Sequence, residues 1–196
     1  MTRVCLIGED GSNLQYELLS RETAREALAT YDLERPFENS LALRTVSIGA
    51  AVSLLNDLNW YLTRFVDAAL VQEPSISDDE WLSRSLATEL RNGAIEPAET
   101  AEFCKIYGLE RVDAGLEADE EEALDRGPEN ESGTVDAADA ADSDSNDAAR
   151  SGAVEPTYRL VEPLYVRRTD GDLPEYDLRD VEDTLVVRLT EAEYSP

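Results

Sequence analysis

Histidine is missing from this sequence, and lysine occurs once, at Lys105, against sixteen arginines. Without histidine, Ser-His-Asp and Cys-His nucleophile systems are excluded, and so is the commonest metal ligand. The two cysteines, Cys5 and Cys104, lie far apart in apolar surroundings. They read as buried free thiols rather than a disulfide. Long apolar runs are lacking too. The richest stretch, residues 50–71, is interrupted by Asn56, Asp57, Asn59, Arg64 and Asp67 and cannot supply the ~20 apolar residues of a membrane span. The opening MTRVCLIGEDG has too short an apolar core for a signal peptide, so a soluble protein in the cytoplasm is expected.

Acid is abundant. Forty-four carboxylates face seventeen cations, a net charge of −27 over 196 residues. Molar salt shortens the Debye length to about 3 Å and removes most of the self-repulsion. An acidic, lysine-poor chain is therefore expected in a salt-filled cytoplasm. The same balance argues against a nucleic-acid binder, which needs a basic footprint.

The chain is organised around residues 50–71. Ala51, Leu54, Leu55, Leu58, Leu62, Phe65, Val66 and Ala69 recur at spacings of three and four, which predicts one long central helix with an apolar stripe. Before it, residues 3–7 and 41–48 read as strands, and 12–31 as a helix whose first half, 12–19, also fits a strand. After it, Ser77 and Glu80 have the spacing of a capping box opening a helix to about Asn92, with Gly93 at its C′ position. Pro97 then fits the first turn of a further helix ending at Gly108, the two forming a helical hairpin. Residues 111–155 carry a net charge of −12 with few aromatic or β-branched residues and are expected to be disordered. Residues 158–168, interrupted by Pro163, and 184–190 read as an antiparallel strand pair. The predicted class is α/β, with α+β as the alternative: a small mixed sheet with a central helix and a helical hairpin. Residues 1–110 and 156–196 form one core around an acidic insertion.

Each candidate site has a bland counterpart. The turn Gly8-Glu-Asp-Gly11-Ser12 follows a strand, but it lacks a phosphate-loop pattern and its acids would repel phosphate. Glu9 and Asp10 could together hold a divalent cation, or simply be a solvated loop. Asp142-x-Asp144-x-Asn146 begins like a calcium loop, but Asp147 stands where glycine is needed and Ala153 where glutamate is needed. The polar side of the central helix carries Asn56, Asp57, Asn59, Trp60, Thr63, Arg64 and Asp67. Trp60 and Arg64, one turn apart, can stack, and Arg64 can pair with Asp67. Mid-helix asparagines cost helix propensity, so something is expected to compensate. This side either lies under the C-terminal strands, faces water, or meets a ligand or partner.

The segments LRTVSIGAAVSLLNDLNWYL, LQYELLSRETAREALATYDL and EYDLRDVEDTLVVRL resemble an uncharacterised family of haloarchaeal proteins, a domain of unknown function. That resemblance spans about 1–110 and 156–196 and implies no activity. LATELRNGAIEPAETAEFCKIYGL also resembles, generically, helical-hairpin oligomerisation modules. The favoured expectation is a non-catalytic interaction or regulatory protein with a protein partner or a second copy, binding through Asn56, Asp57, Asn59, Trp60 and Arg64. No cofactor is expected. One alternative is a metal-dependent phosphate-handling enzyme using Glu9, Asp10 and Asp57. Another is a nucleic-acid-linked regulator using Arg159, Arg167, Arg168 and Arg188.

Overall fold

A computed structural model describes residues 1–112, 157–169, 171–176, 181 and 183–195. The expected disordered stretch (but for Arg111 and Val112) and the calcium-loop-like run lie outside these residues. Seven strands form one mixed sheet: β1 (Thr2–Gly8), β2 (Ser40–Thr45), β3 (Val66–Gln72), β4 (Trp81–Ser83), β5 (Phe103–Val112), β6 (Thr157–Arg167) and β7 (Asp183–Leu189). Their spatial order is β2-β1-β3-β4-β7-β5-β6. Every neighbouring pair is antiparallel except β4 with β7. The helices are α1 (Leu14–Leu19), α2 (Glu22–Leu28), α3 (Ile48–Asp57), α4 (Asn59–Phe65), α5 (Arg84–Asn92) and the short α6 (Glu191–Tyr194).

Strand alternation sends successive side chains to opposite faces. One face carries Val4, Leu6, Leu41, Leu43, Val71 and Leu82 and is covered by the helices. The other carries Cys5, Ile7, Leu70, Trp81, Tyr107 and Val187 and wraps a second core. That wrapping brings the sheet's two ends together. Glu38, just before β2, donates its backbone N–H to the carbonyl of Tyr158 on β6, at 2.7 Å.

The apolar stripe of residues 50–71 is where its spacing places it: Ala51, Leu54, Leu55, Leu58 and Leu62 are all buried. The single long helix is not. α3 ends at Asp57 and α4 begins at Asn59, with Leu58 at the junction outside helical geometry (φ −86°, ψ 1°). From Val66 the chain is strand, because Ala68 and Leu70 alternate with Ala69 and Val71 in register against β1. The helix expected over 12–31 is likewise two short ones. Asn13 caps the first, its side chain accepting the Tyr16 N–H at 3.0 Å.

The helical hairpin is overturned. Ser77 does accept the Glu80 N–H, at 3.1 Å, but no helix follows. Glu80 is instead held by Arg168 and Arg188, and Trp81 and Leu82 enter the two cores as β4. Helix α5 opens six residues after the expected cap, where the Ser83 hydroxyl accepts the Leu86 N–H at 3.1 Å. Gly93 closes it in the left-handed region, φ 69°, as its position implied. The second arm is a 3₁₀ turn, Pro97–Glu99, followed by β5. Phe103, Ile106 and Tyr107 have helical spacing, yet Cys104 and Ile106 alternate with Phe103 and Tyr107 just as well. Pairing with two distant strands decides for strand.

The C-terminal strands do not pair with each other; β5 lies between them. Pro163 sits on edge strand β6, where the register shifts opposite Ile106–Gly108, a position that spares a ladder hydrogen bond. No helix among the described residues is long and apolar enough to cross a membrane.

Candidate functional site

The polar side of α3 and α4 is open to solvent. Asn56, Asp57, Asn59, Trp60, Thr63, Arg64 and Asp67 are all exposed. Trp60 stands out: it is 54% exposed, whereas the only other tryptophan, Trp81, is 4% exposed. Its indole is nonetheless held. Tyr61 meets it edge-on at 5.0 Å between ring centroids and Phe65 at 6.2 Å. The Arg64 guanidinium lies 5.2 Å from the ring centroid, the stacking that the i,i+4 spacing implied. Arg64 and Asp67 form no ion pair within 4 Å among the described residues.

The asparagines have a structural explanation. Arg84, first residue of α5, donates to Asn59 Oδ1 at 2.8 Å and to Asn56 Oδ1 at 3.2 Å. One guanidinium thus pins both sides of the α3–α4 junction to the start of α5. This compensates the propensity that asparagine costs and fixes the angle at which Trp60 is presented. Asp57 has no such contact and is simply exposed.

Glu9 and Asp10 are exposed in the turn after β1, and the turn has its own structural logic. A Cβ on Gly8 would lie 2.4 Å from Asn39 Nδ2, so any larger residue would have to displace that side chain. Asn39 Nδ2 donates to the Glu9 carbonyl at 3.0 Å, and Asn39 Oδ1 accepts the Leu14 N–H at 2.9 Å. The turn is a clasp between β1, β2 and α1. Among the described residues no three His, Cys, Asp or Glu side chains cluster as metal ligands, so Glu9, Asp10 and Asp57 do not converge.

The four C-terminal arginines share no free basic surface. Arg159 is bound to Glu110 at 2.7 Å and Arg167 to Glu102 at 2.5 Å, while Arg168 and Arg188 both grip Glu80. Burial pushes the Glu80 carboxyl upward, but hydrogen bonds and charge from the two arginines outweigh it and leave the group below its ordinary range. The cysteines are free and buried. Desolvation pushes the Cys5 thiol up to about 12 against the opposing charge of Arg3, so it is no nucleophile.

The residues that sequence reasoning passed over, Arg84, Lys105 and Glu193, lie beside the polar side of α4. With Asp67, which it did single out, they border one cavity between α4, β3, β5 and the ends of α5 and α6. The available signal was Lys105 itself, the lone lysine among sixteen arginines. Placing it on a helix hid its neighbours.

No curated protein and no solved structure matches the chain. A protein family does, over residues 2–109, a span that runs from β1 into β5 and holds Trp60, Arg84 and Lys105 but not the C-terminal strands. By that match the chain belongs to a family of unknown function (DUF5804).

Proposed function

We propose that this chain is a non-catalytic interaction or regulatory protein of a salt-rich, halophilic cytoplasm, and that it docks a protein partner on the Trp60 side of α3 and α4. One observation carries the reading: a large aromatic side chain, 54% exposed, is already fixed in orientation by Tyr61, Phe65 and Arg64. Tryptophan and arginine are the residue types that anchor interfaces. Fixing them before binding removes part of the ordering cost of association. In molar salt surface charge is screened, so attraction rests on apolar area, which Trp60 supplies on this side of α3 and α4.

The test is affinity capture from the native host at molar KCl, with wild type, Trp60→Ala and Arg91→Ala, the last at an exposed position on α5. The reading predicts a co-purifying protein, or a second copy of the chain, that Trp60→Ala loses and Arg91→Ala keeps. Equal recovery by all three proteins would end it.

A further inference from the structure

The cavity beside α4 has a volume of about 220 Å³. That is below the roughly 300 Å³ where sites for drug-sized ligands begin, and it suits a metabolite of amino-acid size. Leu62, Val66 and Leu70 give it an aliphatic wall, and its charged groups are Asp67, Arg84, Lys105 and Glu193.

These four are not equally engaged. Glu193 is occupied: its carboxylate accepts the Ser83 hydroxyl at 2.6 Å and the Thr190 N–H and hydroxyl at 3.0 and 3.1 Å. Arg84 is bound only to the neutral amide oxygens of Asn56 and Asn59. Lys105 lies with its ammonium 4.9 Å from the Tyr107 ring centroid. Among the described residues neither cation has a carboxylate within 4 Å. Of the two carboxylates that line the cavity, Glu193 and Asp67, Asp67 makes no side-chain hydrogen bond among the described residues.

Burial costs both cations. Desolvation lowers the pKa of Arg84, and it lowers that of Lys105 more than the negative charges of Asp67 and Glu193 raise it. A partly desolvated cation without a paired carboxylate is relieved by an incoming anion. With two such cations and one uncommitted acid, the cavity complements a ligand that carries a carboxylate and an ammonium together.

We propose that this cavity binds a small aliphatic α-amino acid as the zwitterion. Its carboxylate faces Lys105 and Arg84, its ammonium faces Asp67, and its side chain lies against Leu62, Val66 and Leu70. This site shares Arg84 with the clamp beneath Trp60, but neither Trp60 nor Arg64 lines it, so binding here can be tested without a partner.

Lys105 supplies its own probe, because as the only lysine it gives one side-chain signal in NMR spectra of lysine-labelled protein. The full chain in molar KCl is titrated with L-valine, with isovalerate (valine without its amine) and with isobutylamine (valine without its carboxylate). The expected result is a saturable shift of the Lys105 signal with valine, about tenfold weaker binding of isovalerate, and no saturation with isobutylamine. Arg84→Gln should weaken valine about tenfold. Asp67→Asn should erase valine's advantage over isovalerate, with isovalerate binding at least as tightly as it does to the wild type. Equal affinity for valine and isovalerate in the wild type would mean a simple anion site and overturn the assignment. So would the absence of a saturable shift up to the solubility of valine, a result that needs no variant to fold.

Discussion

The two sides of the α3–α4 segment are built on different terms. On one, Leu54, Leu55, Leu58 and Leu62 are buried in the core between the helices and the sheet, and each is there because the core needs its volume. On the other, Asn56 and Asn59 are explained by one arginine, while Trp60 and Arg64 engage only their own helix neighbours. Packing accounts for the first side completely and for the second in part. What packing leaves over on the second side, a fixed and exposed indole, is the part available for recognition.

The largest expected effect is on the buried side. Leu58→Ala removes a fully buried side chain at the helix junction and should cost about 2–5 kcal/mol, measured by chemical or thermal unfolding in molar KCl. A loss below about 1 kcal/mol would mean that the junction repacks and the contrast between the sides is weaker than it looks.

A charged cluster that the fold does use gives a second point of reference. Glu80→Gln leaves Arg168 and Arg188 facing a neutral group, and it should cost about 2–3 kcal/mol, less than for a fully buried pair because water still reaches all three side chains. The sign of the pH dependence follows. The folded pKa of Glu80 lies below its ordinary 4.5, so its contribution is fully present above about pH 4.5. It is lost as pH falls through the lowered folded value. Wild type should therefore lose stability on acidification below pH 4.5 more steeply than Glu80→Gln. Parallel acid profiles would show that the pair contributes nothing.

How much of this contrast was legible in the sequence can be read from single residues. The Leu58–Leu62 stripe was, because three- and four-residue spacing selects one helix face whether the helix is one piece or two. The outward side was legible too, and so were the Trp60–Arg64 stack and Gly93. What was not legible was set by distant partners. Glu80 looked like the end of a capping box until Arg168 and Arg188, 88 and 108 residues further on, claimed its carboxylate. Phe103, Ile106 and Tyr107 fitted a helix until β6 and β7 supplied hydrogen-bonding edges on both sides. The Lys105 cavity was hidden by that same misassignment, since only a strand brings Lys105 to Asp67 and Glu193. The Arg84–Asn clamp joins segments 25 and 28 residues apart and leaves no local pattern.

The smallest expected effect is on the outward side. Trp60→Ala gives up edge contacts with Tyr61 and Phe65 and the Arg64 stack, and it should cost no more than about 1.5 kcal/mol. Unfolding measured beside Leu58→Ala sharpens the comparison. Should Trp60→Ala unfold as early as Leu58→Ala, the indole belongs to the core and the docking surface is lost.

The docking claim is tested most directly by a photo-crosslinking residue placed at Asp57, an exposed position on the same side as Trp60, and in a second protein at Arg91 on α5, both irradiated in the native host at its own salt. A discrete adduct is expected from position 57, either the chain joined to one other protein or the chain doubled. It should be absent from position 91 and abolished when Trp60→Ala is added. Adducts of equal yield from both positions, or an adduct from position 57 that survives Trp60→Ala, would contradict the docking surface.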